Sequence, residues 1–138
     1  MFEECYHQGV LTSHFFLDDK RFLGKIPLNP NAALRRAFFA ANQKAQDMAR
    51  LRLKINPQDA DALFVMALSV GMQADYASLI DKRQLGSLVM IKDADKYAKQ
   101  LLAVAPDAFD AYVTLGAANY IIGSLPAHKR AFLVSCPG

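Results

Sequence analysis

The sequence predicts an all-α protein in which antiparallel helical hairpins stack on one another. Apolar residues recur at spacings of three and four over long stretches of the chain, as they do along one face of an α-helix. The dipeptides Asn56-Pro57 and Ala105-Pro106 separate these stretches, because the residue before a proline is pushed out of the helical conformation. The alternation of apolar and polar residues that is typical of a β-strand does not occur.

The first long helix is expected over Ala32–Ile55, which contains no glycine or proline and is rich in strong helix formers. Arg36, Arg50 and Lys54 fall on its polar face. The residues that the spacing places on one apolar face are Leu34, Phe38, Ala41, Ala45, Met48 and Ala49.

Three further helices are predicted from similar boundary signals. The second begins near Asp59, where an acidic side chain favours the positive end of the helix dipole. Because Gly71 weakens it, we expect a bend or break over residues 71–75. The third is expected over Leu88–Val104, and the fourth over Ala108–Ile122, ending at the glycine that follows.

Length and composition are those of one small globular domain. The chain has 138 residues, of which 53% are hydrophobic and 21% are charged, so it can bury one core. Its formal net charge of +3 is too small to indicate nucleic-acid binding. We expect an irregular amino-terminal segment over residues 1–31, a helical domain over 32–125 and a short tail over 126–138.

Neither a membrane protein nor an exported one is indicated. The longest apolar run, Ala62–Met72, is shorter than the ~18 residues that a membrane span needs. The first residues are acidic where a secretory signal is basic, so a cytoplasmic location is the default expectation. Cys5 and Cys136 stand near opposite ends of the sequence and do not make a disulfide framework.

The helical part of the sequence contains an internal repeat. Pro57 aligns with Pro106 at an offset of 49 residues, and the flanking residues then match in size. Small residues, which let helices approach closely, fall opposite small residues, and branched apolar residues mostly fall opposite large apolar ones. The aligned pairs are Ala45 and Ala94, Ala49 and Ala98, Leu53 and Leu102, Ile55 and Val104, Asp61 and Asp110, Ala62 and Ala111, Leu63 and Tyr112, and Ala67 and Gly116.

The junction between these two units resembles the junction between two tetratricopeptide repeats. Ala94, Leu102 and Pro106 stand where that repeat has a small residue, an apolar residue and its closing proline. Tyr112 and the Leu115-Gly116 pair stand where the next repeat opens. The chain is also similar to bacterial repeat proteins of unassigned function, with which it shares an Ala-Asp-Tyr segment and an Ile-Gly-Ser-Leu-Pro ending.

This resemblance implies a right-handed array of helical hairpins, an α-α superhelix, whose concave face binds other proteins or peptides. The period of 49 residues exceeds the about 34 residues of a regular tetratricopeptide repeat. The extra residues fit best between Met72 and Gly86, inside the middle pair of helices. The chain therefore resembles a degenerate, long-period array over Leu34–Gly123.

The sequence carries no motif for catalysis. It has no glycine-rich phosphate loop, no His-Glu-x-x-His and no Gly-x-Ser-x-Gly. Cys5, His7 and His14 have side chains that suit zinc, but a polar chain terminus accounts for them better than a metal site or a nucleophilic pair. We expect a protein that is not an enzyme, with no catalytic residue, no cofactor and no metal.

One basic helix face could in principle contact phosphates. No aromatic residues interleave with its outward positions, so we expect a solvated face and no nucleic-acid partner. The basic residues are Arg35, Arg36, Lys44, Arg50, Arg52 and Lys54, against the single acidic residue Asp47.

The resemblance also implies which residues line a partner-binding groove. In such arrays the first helix of each pair faces the groove, and a few exposed apolar anchors beside a polar residue suit a peptide or an amphipathic helix. The expected groove residues are Phe64, Leu68, Val113, Ala117, Asn119 and Tyr120. The expected function is a non-catalytic scaffold for proteins or peptides; the alternative is a small helical domain that binds a hydrophobic ligand between its helices.

The array also has an open end. The fourth helix is the first member of a pair, and an unpaired helix with an apolar face must be covered. The amino-terminal segment could cover it, a second copy could pair with it as a homodimer, or the chain could be a piece of a longer array. We therefore expect self-association through the open face of the fourth helix.

Overall fold

The computed structural model describes residues 29–124, and that part of the chain is helical, with no strand. The predicted all-α class is therefore confirmed. The predicted segment 1–31, apart from its last three residues, and the tail 126–138 lie outside the described residues. In chain order the elements are α1 (Ala32–Ile55), α2 (Ala60–Asp75), a π-helical turn (Tyr76–Ile80), α3 (Gln84–Val104) and α4 (Phe109–Ser124).

Side-chain caps start the first two helices. The Asn31 carboxamide oxygen accepts a hydrogen bond from the backbone N–H of Ala33 at 2.9 Å. The Asp59 carboxylate accepts one from the N–H of Ala62 at 3.0 Å. Each cap satisfies a donor that has no partner within the helix. At the other end of α1, Asn56 is extended, as the following proline requires.

The interruption after α2 lies further along the chain than predicted. The helix runs without a break through Gly71, then widens into the π-helical turn, and the chain leaves it at Asp81. Lys82 has a φ of 57°, a left-handed conformation that non-glycine residues rarely adopt. A glycine costs a helix only about 1 kcal/mol, which packing on both sides of Gly71 readily offsets.

Helix α2 is the centre of the described structure. It packs against α1, α3 and α4, and α3 also packs against α4. Alanines from all four helices lie at these crossings, which lets the helix axes approach closely. One core cluster joins α1, α2 and α3 through Ala49, Ala62, Met66, Val70 and Ala94. A second joins α2, α3 and α4 through Leu63, Ala67, Ala98, Leu101 and Ala111.

The inner face of α1 differs from the predicted one. Met48 was expected in the core, but it is 60% exposed, so that prediction is wrong. The buried residues are Phe38, Asn42, Gln46 and Ala49, at intervals of four, four and three. The apolar spacing alone could not find this face, because two of its four residues are amides.

Helix α2 is apolar enough to be compared with a membrane-spanning helix. Together with the π turn it forms a 21-residue helix, Ala60–Ile80, that is long and apolar enough to cross a membrane by length and composition. Within the protein, 56% of its apolar window is buried, and three other helices contact it. It has the character of the core helix of a packed domain.

Removing a core side chain of α2 should destabilise the protein strongly. Leu63 is 2% exposed and contacts the second core cluster, so Leu63→Ala should lower the free energy of unfolding by about 2–5 kcal/mol. The matched control is Leu85→Ala, since Leu85 is an exposed leucine of α3, and its cost should stay within about 0.5 kcal/mol. Urea denaturation followed by circular dichroism measures both. Equal costs for the two variants would contradict this packing.

Candidate functional site

The two helices that the repeat makes equivalent, α2 and α4, carry one matched surface. Residues separated by the repeat offset, the 49 residues from Pro57 to Pro106, are called equivalent below. Helices α2 and α4 contact each other, so equivalent surfaces of the two lie on neighbouring elements. We define the acidic strip as Asp61, Phe64 and Leu68 of α2 with Asp110 and Val113 of α4, the equivalents of Asp61 and Phe64.

Leu68 and Val113 supply the exposed apolar part of the acidic strip. Leu68 is 37% exposed and Val113 is 72% exposed. Phe64 is half-buried and packs against the second core cluster, so part of its ring supports the core. Leu68 lies one turn after Phe64, which places both side chains on one side of α2.

The remaining predicted groove residues belong to α4. Ala117 and Tyr120 are helical, but their side chains lie outside the described part of the structure. Asn119 is exposed, but six residues after Val113 the helix has turned about 120° further, so Asn119 does not line the strip. Its predicted place in a partner-binding groove stays a prediction.

The charge of this surface has one sign. Helices α2 and α4 contain Asp61, Asp75 and Asp110 and no lysine, arginine or histidine. Asp61, Leu68 and Asp75 follow one another at intervals of seven, so they share a face of α2, and all three are exposed. The strip therefore combines apolar side chains with negative charge.

An ion-pair cluster borders the strip at the start of α2. The Arg52 guanidinium donates to both oxygens of Asp59, from Nε at 2.8 Å and from a terminal nitrogen at 2.9 Å. That terminal nitrogen also lies 3.3 Å from Asp61. The pKa of Asp59 lies below its ordinary value because the N–H of Ala62 and the Arg52 guanidinium both bond to the ionised form. This cluster joins the last turn of α1 to the first turn of α2.

A second feature, which the sequence analysis did not find, is a buried chain of amides between α1 and α2. The Asn42 side-chain amide donates to the backbone carbonyl of Ser69 at 2.8 Å. Gln46 donates to the Asn42 carboxamide oxygen at 2.8 Å, and Arg50 donates to the Gln46 oxygen at 2.6 Å. Two amides four residues apart on an otherwise apolar face were the only sequence signal. This series of hydrogen bonds runs from the exposed Arg50 to the buried Asn42.

A third feature holds the π turn against α1. The Arg35 guanidinium donates to both carboxylate oxygens of Asp81, at 2.6 Å and 3.0 Å, and to the Tyr76 hydroxyl at 3.3 Å. It also stacks over the rings of Phe39 and Tyr76, 5.4 Å and 5.1 Å from their centroids. Asp81 raises the pKa of the Arg35 guanidinium, which stays protonated in any case. No local pattern predicts this contact, because its partners are far apart in sequence.

The polar clusters of the described residues connect elements of the fold. Within residues 29–124 no group of three or more histidine, cysteine, aspartate or glutamate side chains is placed to hold a metal ion. The candidate ligands Cys5, His7 and His14 lie outside the described residues. Each polar cluster described above is hydrogen-bonded within itself and links two elements of the fold.

Comparison of the chain with protein-family models, with curated proteins and with solved structures finds no match. A function must therefore be inferred from the surfaces of this chain. Two features of these surfaces suggest a function: the exposed apolar residues on α2 and α4, and the negative charge around them.

The lowered pKa of Asp59 predicts a specific pH dependence. Its stabilising effect is full above the ordinary pKa of an aspartate and is lost as the pH falls through the lowered value in the folded state. Asp59→Asn keeps a good helix cap but removes the charge. The variant should be less stable than wild type at neutral pH, and the difference should disappear in acid.

Thermal denaturation followed by circular dichroism between about pH 7 and pH 2 measures this difference. Asp93→Asn, at an exposed position of α3, is the control and should lose less stability at neutral pH. A gap between wild type and Asp59→Asn that widens in acid would contradict the assignment.

Proposed function

We propose that the protein is a non-catalytic module that binds other proteins or peptides, built as a degenerate tetratricopeptide-like array of helical hairpins. The all-helical structure and the contact between equivalent helices α2 and α4 support this proposal. The observation that carries it is the acidic strip, where the exposed side chains of Leu68 and Val113 lie among aspartates on two neighbouring helices.

The chemistry of the strip favours one class of ligand. Helices α2 and α4 hold aspartates and no basic residue, and Arg52 of α1 reaches only Asp61 at one end of the strip. The strip therefore attracts positive charge, and its apolar side chains bind apolar anchors. We therefore propose a partner segment that combines lysine or arginine with large apolar residues. An amphipathic helix would present its anchors at spacings of three and four, which suits a surface made of two adjacent helices.

The strip also sets the expected salt dependence. Asp61 and Asp110 are exposed, and interactions between exposed charges are screened over about 8–10 Å at physiological ionic strength. Binding of a basic peptide should therefore weaken as salt is added, while the apolar anchors keep part of the affinity. A purely apolar ligand would show no such loss.

Selection from a random peptide library tests the proposal. Peptides selected on the immobilised protein should be enriched in basic and large apolar residues. Leu68→Lys places a positive charge in the strip and should weaken a selected peptide at least tenfold in fluorescence anisotropy. Lysine extends its charged end to solvent from a half-exposed position, so the fold should be kept.

Leu85→Lys is the matched control, since Leu85 is an exposed leucine on α3, away from the strip. It should leave the affinity unchanged. Peptides without basic residues, or equal binding by the two variants, would contradict the acidic strip as the site. Retention of an apolar small molecule, with no peptide selected, would favour the hydrophobic-ligand alternative instead.

A further inference from the structure

Equivalent faces of α2 and α4 differ sharply in exposure. Leu63 of α2 is 2% exposed and packs against α3, whereas its equivalent in α4, Tyr112, is 53% exposed. Ala67 is also 2% exposed, and at its equivalent, Gly116, an added Cβ would meet no atom within 4 Å. The face of α2 that receives α3 therefore has an open counterpart on α4.

Equivalent faces of α1 and α3 also differ in exposure. Tyr97 and Val104 of α3 are half-buried against the core clusters. Their equivalents in α1 are Met48, which is 60% exposed, and Ile55, which is 87% exposed. The side of α3 that packs against α2 therefore has an open counterpart on α1.

These two open faces match each other, because they are equivalent to the two sides of the contact between α2 and α3. Among the described residues 29–124, α4 has the face of α2 but no neighbour equivalent to α3, and α1 has the face of α3 but no neighbour equivalent to α2. We propose that the protein assembles head to tail, with α4 of one copy packed against α1 of the next in the arrangement that α2 and α3 have within one chain. The interaction partner of each open face is thus a second copy of this chain.

Charge and length both fit this pairing. Helix α1 carries six basic residues and one acidic residue, whereas α4 carries one aspartate and no basic residue. The apolar positions from Met48 to Ile55 and from Phe109 to Gly116 each span seven residues, about 10 Å of helix. A contact between two copies of α1 would bring like charges together, because α1 carries a large excess of basic residues. A contact between α1 and α4 avoids this repulsion.

Such a contact joins different surfaces of the two copies, so it does not close at two. This proposal specifies how the expected self-association takes place, and it rests on the proposed scaffold function. It leaves most of the acidic strip free, because Leu68 lies on another side of α2 than Leu63. Peptide binding by the strip can therefore be measured separately from assembly.

Two charge substitutions, each on one open face, test the direction of assembly. Met48→Glu damages only the α1 face, and Tyr112→Glu damages only the α4 face. Both side chains are more than half exposed, so both variants should fold, which circular dichroism checks. By light scattering, the average mass of wild type should rise with concentration without a limit at two chains.

Each variant alone should associate at least tenfold more weakly than wild type. An equimolar mixture should form dimers and nothing larger, because the intact α4 of Met48→Glu can pair with the intact α1 of Tyr112→Glu. Leu51→Glu is the control: Leu51 is as exposed as Met48, at 60%, but its equivalent Gln100 is exposed in α3. It should associate like wild type.

Three results would overturn the proposal. Self-association of Met48→Glu at wild-type strength would mean that two copies of α4 pair with each other. A mixture of variants that stays monomeric while wild type associates would exclude head-to-tail pairing and leave self-association standing. A wild-type mass of one chain at every concentration would remove self-association itself, and peptide binding by the acidic strip would then be judged on its own assay.

Discussion

An α-helix that is apolar on most sides is stable in water only when other helices cover it, and α2 imposes this constraint on the rest of the structure. Its residues Leu63 and Ala67 pack towards α3 and α4, and Met66 and Val70 pack towards α1 and α3. Burial of this one helix requires three neighbours. The exposed parts of the described chain are then the outer sides of those neighbours, including the apolar faces of α1 and α4, and the side of α2 that carries Asp61 and Leu68.

Polar contacts determine how α1 lies on α2. Apolar contacts are non-directional, so alanine-rich faces could slide along each other. The amide of Asn42 reaches one backbone carbonyl, that of Ser69, and a slip of one residue would leave a buried polar group without its partner at a cost of about 1–3 kcal/mol. The contact of Arg35 with Asp81 holds the amino-terminal end of α1 beside the π turn. Together the two contacts specify the position of α1 along α2.

The sequence was sufficient for the fold class and for most helix limits, because those depend on local chemistry. The proline after Asn56 and the cap at Asp59 end one helix and start the next, as predicted. The inner face of α1 and the π turn were not predictable, since Asn42 and Arg35 find their partners only after α1 and α2 have packed. For the candidate site, Leu68 and Val113 were predicted from the resemblance to tetratricopeptide repeats, and their binding role stays a prediction. That the aspartates of α2 and α4 lie on neighbouring helices follows only from the contact between those helices.

On α4 the acidic strip and the open face lie on different sides of one helix, and this has a consequence for a scaffold. Val113 belongs to the strip, while Tyr112, one residue earlier, belongs to the open face, about 100° around the helix. Head-to-tail packing would therefore lengthen the strip rather than cover it, because each added copy brings its own α2 and α4. A partner with several basic segments could then bind several copies at once, and its overall affinity would exceed that for one copy without any new kind of contact.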